Sequence, residues 1–281
     1  MEIALRKARP EDRDKVIWVE SKSTPDLRYV PHVWDLFLSD ATGDWSVAEL
    51  DGEIVGCGKY TLLPDASAWL ETLRVIPERQ GLGVGKLLYE RWHELAGEQG
   101  VTTMRMYTGT GNLVSKGLAE RYGLRVAGTY KEARMPCVKN APRLGNGFRQ
   151  VRDPEAAVNL MLPLREKWTG FLVMNRTFYE FTPVLCRYLA EQGMVYIEPG
   201  AGSLVTLGAR FMPEEALHIG VMAGDLGACL DFAMNLGAER NAGRVNIQYP
   251  PSAVDIHEAV AGYGFRVGAS DFIVMEAHLK S

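Results

Sequence analysis

Cysteine is scarce and scattered in this chain. Cys57, Cys137, Cys186 and Cys229 form no Cys-x-x-Cys pair and join no Cys/His cluster of zinc spacing. Neither a disulfide framework nor a metal site is expected; buried free thiols in a reducing compartment are. A basic excess is missing too. The formal net charge of −4 argues against sequence-independent nucleic-acid binding, which needs a positive footprint. No apolar run is long enough to span a bilayer, and Met1-Glu2-Ile3-Ala4-Leu5-Arg6 carries no signal-peptide core. A soluble, cytoplasmic protein without a membrane partner is expected. The five histidines are dispersed and show no catalytic pairing, and His93 is expected on an exposed helix face.

What is present is ordinary apolar content for a globular protein and a length that favours two domains. Residues 2–8 alternate like a strand, and Arg9-Pro10-Glu11-Asp12 opens a helix that includes Val16, Ile17 and Val19. A second helix is predicted over Val33–Leu38. Trp45–Leu50 and Ile54–Leu62 read as strands joined by Asp51-Gly52, a hairpin signal. Trp69–Ile76 is the next strand. A helix follows from Val84 to Glu98, then a strand Val101–Tyr107, a helix Asn112–Arg121 and a strand Leu124–Tyr130. The result is a mixed α/β domain over residues 1–140. Two Pro, two Gly and several polar residues between Pro136 and Gly147 suit a linker, placed at 141–147.

After it, over residues 148–281, the order starts again. A strand Phe148–Val151, a helix Phe178–Glu191 and a hairpin of Met194–Glu198 with Leu204–Phe211 lead to a strand Leu217–Met222. A helix Leu226–Leu236, a strand Val245–Tyr249 and a helix Ser252–Ala261 capped by Ser252 follow. Tyr263-Gly264-Phe265-Arg266-Val267 repeats Tyr122-Gly123-Leu124-Arg125-Val126. This is a duplication at domain scale.

The most informative stretch is Gln80-Gly81-Leu82-Gly83-Val84-Gly85-Lys86, between an apolar strand and a helix. Glycines let a backbone approach a ligand, and free N–H groups at a helix start bind anions. A nucleotide-triphosphate loop needs a Gly at position 80 and a hydroxyl at position 87, where Gln and Leu stand. A dinucleotide fingerprint needs Gly-x-Gly-x-x-Gly in a parallel βαβ unit, and both spacing and context differ. The Gln/Arg-x-x-Gly-x-Gly/Ala loop of acyl-CoA binding fits at every fixed position. A turn that merely joins strand to helix is the remaining alternative.

With Leu70-Glu71-Thr72-Leu73-Arg74-Val75-Ile76-Pro77 before that loop, Lys86-Leu87-Leu88 after it, then Asn112 and Glu120-Arg121-Tyr122-Gly123-Leu124, the chain resembles the GNAT superfamily of N-acetyltransferases over about residues 1–140. The resemblance implies a tandem pair of such folds and acetyl-CoA as cofactor. It implies a fourth strand splayed from the fifth, with pantetheine along Leu73, Arg74 and Val75. The Val75 N–H would then stabilise the oxyanion, and the amides from Gly81 to Lys86 would hold the pyrophosphate. Lys86 adds charge or is a solvated first-turn lysine. Asn112 contacts the cofactor or caps its helix. Glu71 is a general base or half of a salt bridge with Arg74 or Arg105. The Tyr that many relatives use as general acid is replaced by Ala119; Tyr122 lies one helical turn on, as a substitute acid or a core residue.

Aligning Gly227 with Gly85 puts Met222 where Gln80 stands and Asp225 where Gly83 stands. A carboxylate there repels pyrophosphate, so the second copy is expected not to bind CoA in this way. Tyr29, His32, Trp34, Phe37 and Trp45 make the region of the first two helices aromatic, as core or as acceptor pocket. The implied activity is acetyl transfer to a primary amine of a small molecule by direct attack. The alternative is a regulatory protein that binds acyl-CoA with little chemistry.

Overall fold

A computed structural model of the chain describes residues 3–24, 27–138, 147–200 and 202–279. Residues 141–146 of the expected linker lie outside them. The chain folds into two compact units. The first comprises the described residues within Met1–Met106, Leu113–Arg125 and Met275–Ser281; the second comprises those within Tyr107–Asn112 and Val126–Val274.

In the first unit β1 (Ile3–Lys7), α1 (Arg13–Ser23), α2 (Val30–Leu38), β2 (Asp44–Leu50), β3 (Glu53–Leu62), β4 (Ala68–Val75), α3 (Val84–Glu98), β5 (Thr103–Gly109) as far as Met106, and α4 (Leu113–Arg121) follow in chain order. The sheet runs β1-β2-β3-β4-β5. Its pairs are antiparallel except β4 with β5, which is parallel. Asp51 and Gly52 make the β2–β3 turn with φ of 53° and 81°. Two positive values are what a two-residue type I′ turn requires. Leu88, Trp92 and Leu95 bury one face of α3. That helix packs close to β3 because β3 has no side chain in its way. A Cβ at Gly58 would stand 2.6 Å from Trp92, and one at Gly56 would stand 2.8 Å from Val84.

The first unit also holds the end of the chain. In the last strand, β15 (Phe272–His278), Glu276 pairs with the Nε of Arg105, whose Nη1 lies 2.8 Å from Asp65. Arg105 is buried, so these carboxylates supply the partners that a buried guanidinium needs.

The second unit contains β6 (Arg125–Pro136) from Val126 onward, then β7 (Arg149–Gln150), α5 (Pro154–Met161), β8 (Phe171–Met174), β9 (Thr177–Glu180) and α6 (Pro183–Glu191). It continues with β10 (Val195–Glu198), β11 (Ser203–Gly208), β12 (Ala216–Ala223), α7 (Leu226–Glu239), β13 (Arg244–Tyr249), α8 (Val254–Tyr263) and β14 (Arg266–Val267). Its sheet runs β7-β10-β11-β12-β13-β6, again with one parallel pair, β12 with β13. The succession β7-β10-β11-β12-β13 reproduces β1-β2-β3-β4-β5.

Two expectations fail here. Phe178–Glu191 is not one helix: Phe178 belongs to β9, and α6 starts after Thr182, whose hydroxyl accepts the Leu185 N–H. A Thr-Pro pair is a helix start, and the residue before a Pro is pushed out of helical geometry. Ser252 does not cap α8. The capping position is Ala253, with no side-chain bond, and the Ser252 carbonyl accepts the Val254 N–H instead.

Candidate active site

The site begins with an irregularity in β4. Cys57 pairs with Arg74 and Lys59 with Glu71, so β4 spends three steps where β3 spends two. The extra residue is a β-bulge, and Thr72 within it has φ of 56°. Side chains alternate along a strand, so residues three apart normally face opposite ways. The bulge instead returns Glu71 and Arg74 to one face. Glu71 lies opposite Lys59, whose ammonium reaches Asp40 and the ring of Phe37 on α2. Arg74 lies over the ring of Tyr29, 5.9 Å from its centroid, just before α2. Leu73 points to the other face, where its Cδ2 lies 3.9 Å from the place a Gly85 Cβ would take.

The second feature is a splay. β4 and β5 pair only at Ala68 with Met104 and Trp69 with Arg105. Beyond Trp69 that edge of β4 is open. The Ile76 N–H donates to Val55 on β3 at 3.0 Å. Successive peptide groups point to opposite edges, so the N–H and C=O of Val75 and of Leu73 face the open side. Both carbonyls hold local donors: Gln80 Nε2 donates to Val75 at 3.2 Å, and Arg74 Nη1 to Leu73 at 3.1 Å.

The loop follows directly. Gly81 and Gly83 have φ of 79° and 99°, and a Cβ on either would meet no atom within 4 Å. The space above both is open, and Leu82 between them is 47% exposed. Gly83 begins α3 without a side-chain cap. The first helical bond runs from the Leu87 N–H to the Gly83 carbonyl, so the amides of Val84, Gly85 and Lys86 precede the ladder. Gly85 has a different purpose, since its Cβ would stand 2.8 Å from Leu118 on α4. The Lys86 ammonium pairs with Glu90 at 3.5 Å on the surface.

Glu71 is 8% exposed, and its Oε1 accepts the Thr61 hydroxyl at 2.7 Å. Tyr122 stacks on Tyr89 with ring centroids 4.8 Å apart, and its hydroxyl donates to the Lys86 carbonyl at 3.2 Å. Burial pushes that phenol above its ordinary range, and Glu90 adds to the effect. Ala119 is fully buried. Asn112 is exposed and immediately precedes α4, and its N–H closes a turn onto Gly109 at 2.9 Å. His93 is half-buried beside Tyr122 rather than exposed, because α3 packs that side against the end of α4.

The sequence of residues 10–124 matches the acetyltransferase (GNAT) family. The first unit carries a GNAT acetyltransferase domain. A Bacillus subtilis (strain 168) protein named for alanine N-acetylation of ribosomal protein bS18 is 26% identical over 129 residues, 46% of this chain and 84% of that relative. The whole chain is similar in fold to a GCN5-related N-acetyltransferase from Sphaerobacter thermophilus. Their TM-score is 0.67 at 14% identity, covering 99% of this chain and 96% of that one. It is also similar to a tandem GNAT protein from the clavulanic acid biosynthesis pathway. There the TM-score is 0.58 at 15% identity, covering 100% and 99%. The chain thus has tandem GNAT folds, and the acetyltransferase family match lies in the first of them.

In the second GNAT fold the helix equivalent to α3 is α7, which starts at Asp225. The Asp225 carboxylate accepts the Ala228 N–H at 3.0 Å. It takes the amide that a phosphate would use, whereas Gly83 leaves the same end of α3 without a side-chain cap. Asp225→Ala is expected to lower the unfolding free energy by about 1 kcal/mol through loss of this cap, read by urea denaturation.

Sequence reading missed two groups around β4. Thr72 carries the bulge, and its hydroxyl bonds that of Tyr29 at 2.7 Å. Glu20 on α1 is 1% exposed and accepts the amides of Tyr29 and Val30 at 3.2 and 3.1 Å. Burial pushes its carboxyl up, against those amides and the charge of Arg74. Of the five aromatic-region residues, Trp34, Phe37 and Trp45 are core, His32 is exposed and Tyr29 is half-buried over the site. Among the described residues no acidic or His/Cys cluster could hold a metal, and no helix is long and apolar enough to cross a membrane.

Proposed function

We propose that the chain transfers an acetyl group from acetyl-CoA to a primary amine of a small molecule by direct attack, at the first GNAT fold. The observation that carries this is the open edge of β4 ending in an uncapped, glycine-lined helix start. The edge suits an extended amide chain and the helix start suits a pyrophosphate. When bound, acetyl-CoA supplies the activated thioester.

The chain's own groups do the rest. The Leu73 and Val75 peptide groups pair with the ligand once the Arg74 and Gln80 side chains release their carbonyls. The amides of Val84, Gly85 and Lys86 take the phosphate oxygens. Gln80 and Lys86 flank them. The Val75 N–H donates to the carbonyl oxygen as charge builds there. Glu71 takes the proton that the amine sheds as its N–C bond forms and the C–S bond breaks. Solvent would supply the leaving group's proton. We assign Tyr122 to packing rather than to acid catalysis, because its hydroxyl is committed to Lys86.

Incubating an amine panel with acetyl-CoA and reading products by mass spectrometry tests the proposal. Glu71→Gln is expected to cut turnover about 100-fold or more while CoA still raises the melting temperature. A buried Ala119 at the usual acid position favours the second reading, an acyl-CoA-binding regulator. CoA binding with no product from any amine, and an inert Glu71→Gln, would establish it. The Bacillus subtilis relative's name adds a polypeptide α-amine to the panel.

A further inference from the structure

We propose that Arg74 selects the acceptor by pairing with a carboxylate carried on the same small molecule as the reacting amine. The substrate class is then free amino acids and related amino-carboxylates. The inference rests on the acetyltransferase reading above and adds the acceptor's chemistry.

Arg74 is the unspent cation of this face. Its Nη1 donates to the Leu73 carbonyl, but its Nε is buried without a hydrogen-bond partner, and no carboxylate pairs with it among the described residues. Three other buried or half-buried arginines of this unit are paired with carboxylates, unlike Arg74 and, among the described residues, the half-buried Arg79 in the turn after β4. Arg105 pairs with Asp65 and Glu276, Arg6 with Asp12 and Glu49, and Arg91 with Asp44. Glu20, whose charge reaches Arg74, spends both oxygens on backbone amides. A guanidinium drawn partly out of water without an anion is costly, and its planar fork matches a carboxylate with two parallel bonds.

The position is fixed from both sides. Tyr29 lies against the guanidinium, and the Tyr29 hydroxyl is tied to Thr72 in the bulge. The same bulge puts Arg74 on the face of Glu71, the proposed base. Three residue steps of strand separate the two by less than about 10 Å along the backbone. That span suits an amine and a carboxylate on one small molecule. The amino terminus of a polypeptide has no backbone carboxylate within that reach.

The test compares free L-amino acids with their amides, using the full chain with CoA bound for calorimetric titration and with acetyl-CoA for turnover. The acids are expected to exceed their amides at least ten-fold in affinity and in kcat/KM. Arg74→Gln should collapse that ratio toward one, and Arg74→Lys should restore part of it. CoA-induced thermal stabilisation of each variant reports an intact fold. Equal use of acids and amides, survival of the preference in Arg74→Gln, or no binding of any acid would overturn the inference. Acids that bind through Arg74 yet give no N-acetyl product would leave this inference standing and overturn the proposed reaction instead.

Discussion

A Gly83→Asp variant is expected to lose CoA affinity by at least about 100-fold, or about 3 kcal/mol. Two effects combine. At φ of 99° Gly83 holds a conformation that a side chain adopts only with strain, and α3 begins there. More importantly, under the proposed reading a carboxylate at that helix start takes an amide that would hold phosphate and sets like charges against each other. Two unit charges 4 Å apart cost about 4 kcal/mol at an effective dielectric of 20. The chain itself contains the substituted version, since Asp225 caps α7 in this manner. Gly83→Ala separates the terms: it carries the backbone strain without the charge, and it should weaken CoA about ten-fold or less. Isothermal titration of both variants decides. Normal CoA affinity in Gly83→Asp would move the pyrophosphate away from this helix.

The backbone form of the loop was legible because it is set locally. Glycine at fixed spacing after an apolar strand specifies both a backbone conformation and a charge preference, and neither depends on distant packing. The Asp51-Gly52 turn and α3 were legible for the same reason, and α3 spans the predicted Val84–Glu98. Tyr-Gly before a hydrophobic residue recurs at 122 and 263 because Gly123 and Gly264 both have positive φ where a helix ends.

What escaped depends on tertiary contacts. Thr72 is β-branched and left-handed, a combination no propensity suggests. It is held by the Tyr29 hydroxyl and by the Cys57 thiol, which approaches its carbonyl at 3.7 Å. Without the bulge, Glu71 and Arg74 fall on opposite faces, so their shared face could not be read from spacing. Glu20 looked like any helix-surface glutamate. The last strand was also unreadable, because nothing in Phe272–His278 announces that its end belongs with the first unit. The second-half error at Phe178–Glu191 had a local signal: Thr182-Pro183 marks the true helix start.

Lowering the pH from 7 to 5 is expected to destabilise the protein by about 2 kcal/mol through His218 alone. This histidine lies on β12, 3% exposed. Its Nδ1 accepts the Asn175 N–H at 3.3 Å, which leaves the proton on Nε2, a buried atom without a partner. Burial pushes its pKa down to about 4; Arg244 and Arg176 act in the same direction, and Glu132 opposes them. The unfolded chain takes up the proton near the ordinary value of 6.5, so it binds more protons than the folded chain between the two values. Stability is therefore fully present above 6.5 and falls as pH drops, with a total loss of about 3 kcal/mol by pH 4 and below. The carboxyls held low by cation partners, Asp12, Asp40 and Glu132, contribute below this window, not within it. Urea denaturation at pH 7 and pH 5 gives the slope, and the same pair of measurements on His218→Gln gives the control. The variant is expected to be flatter by about 2 kcal/mol whatever its stability at pH 7. Equal slopes in the two proteins would mean that His218 protonates as readily folded as unfolded, and that β12 admits water at this position.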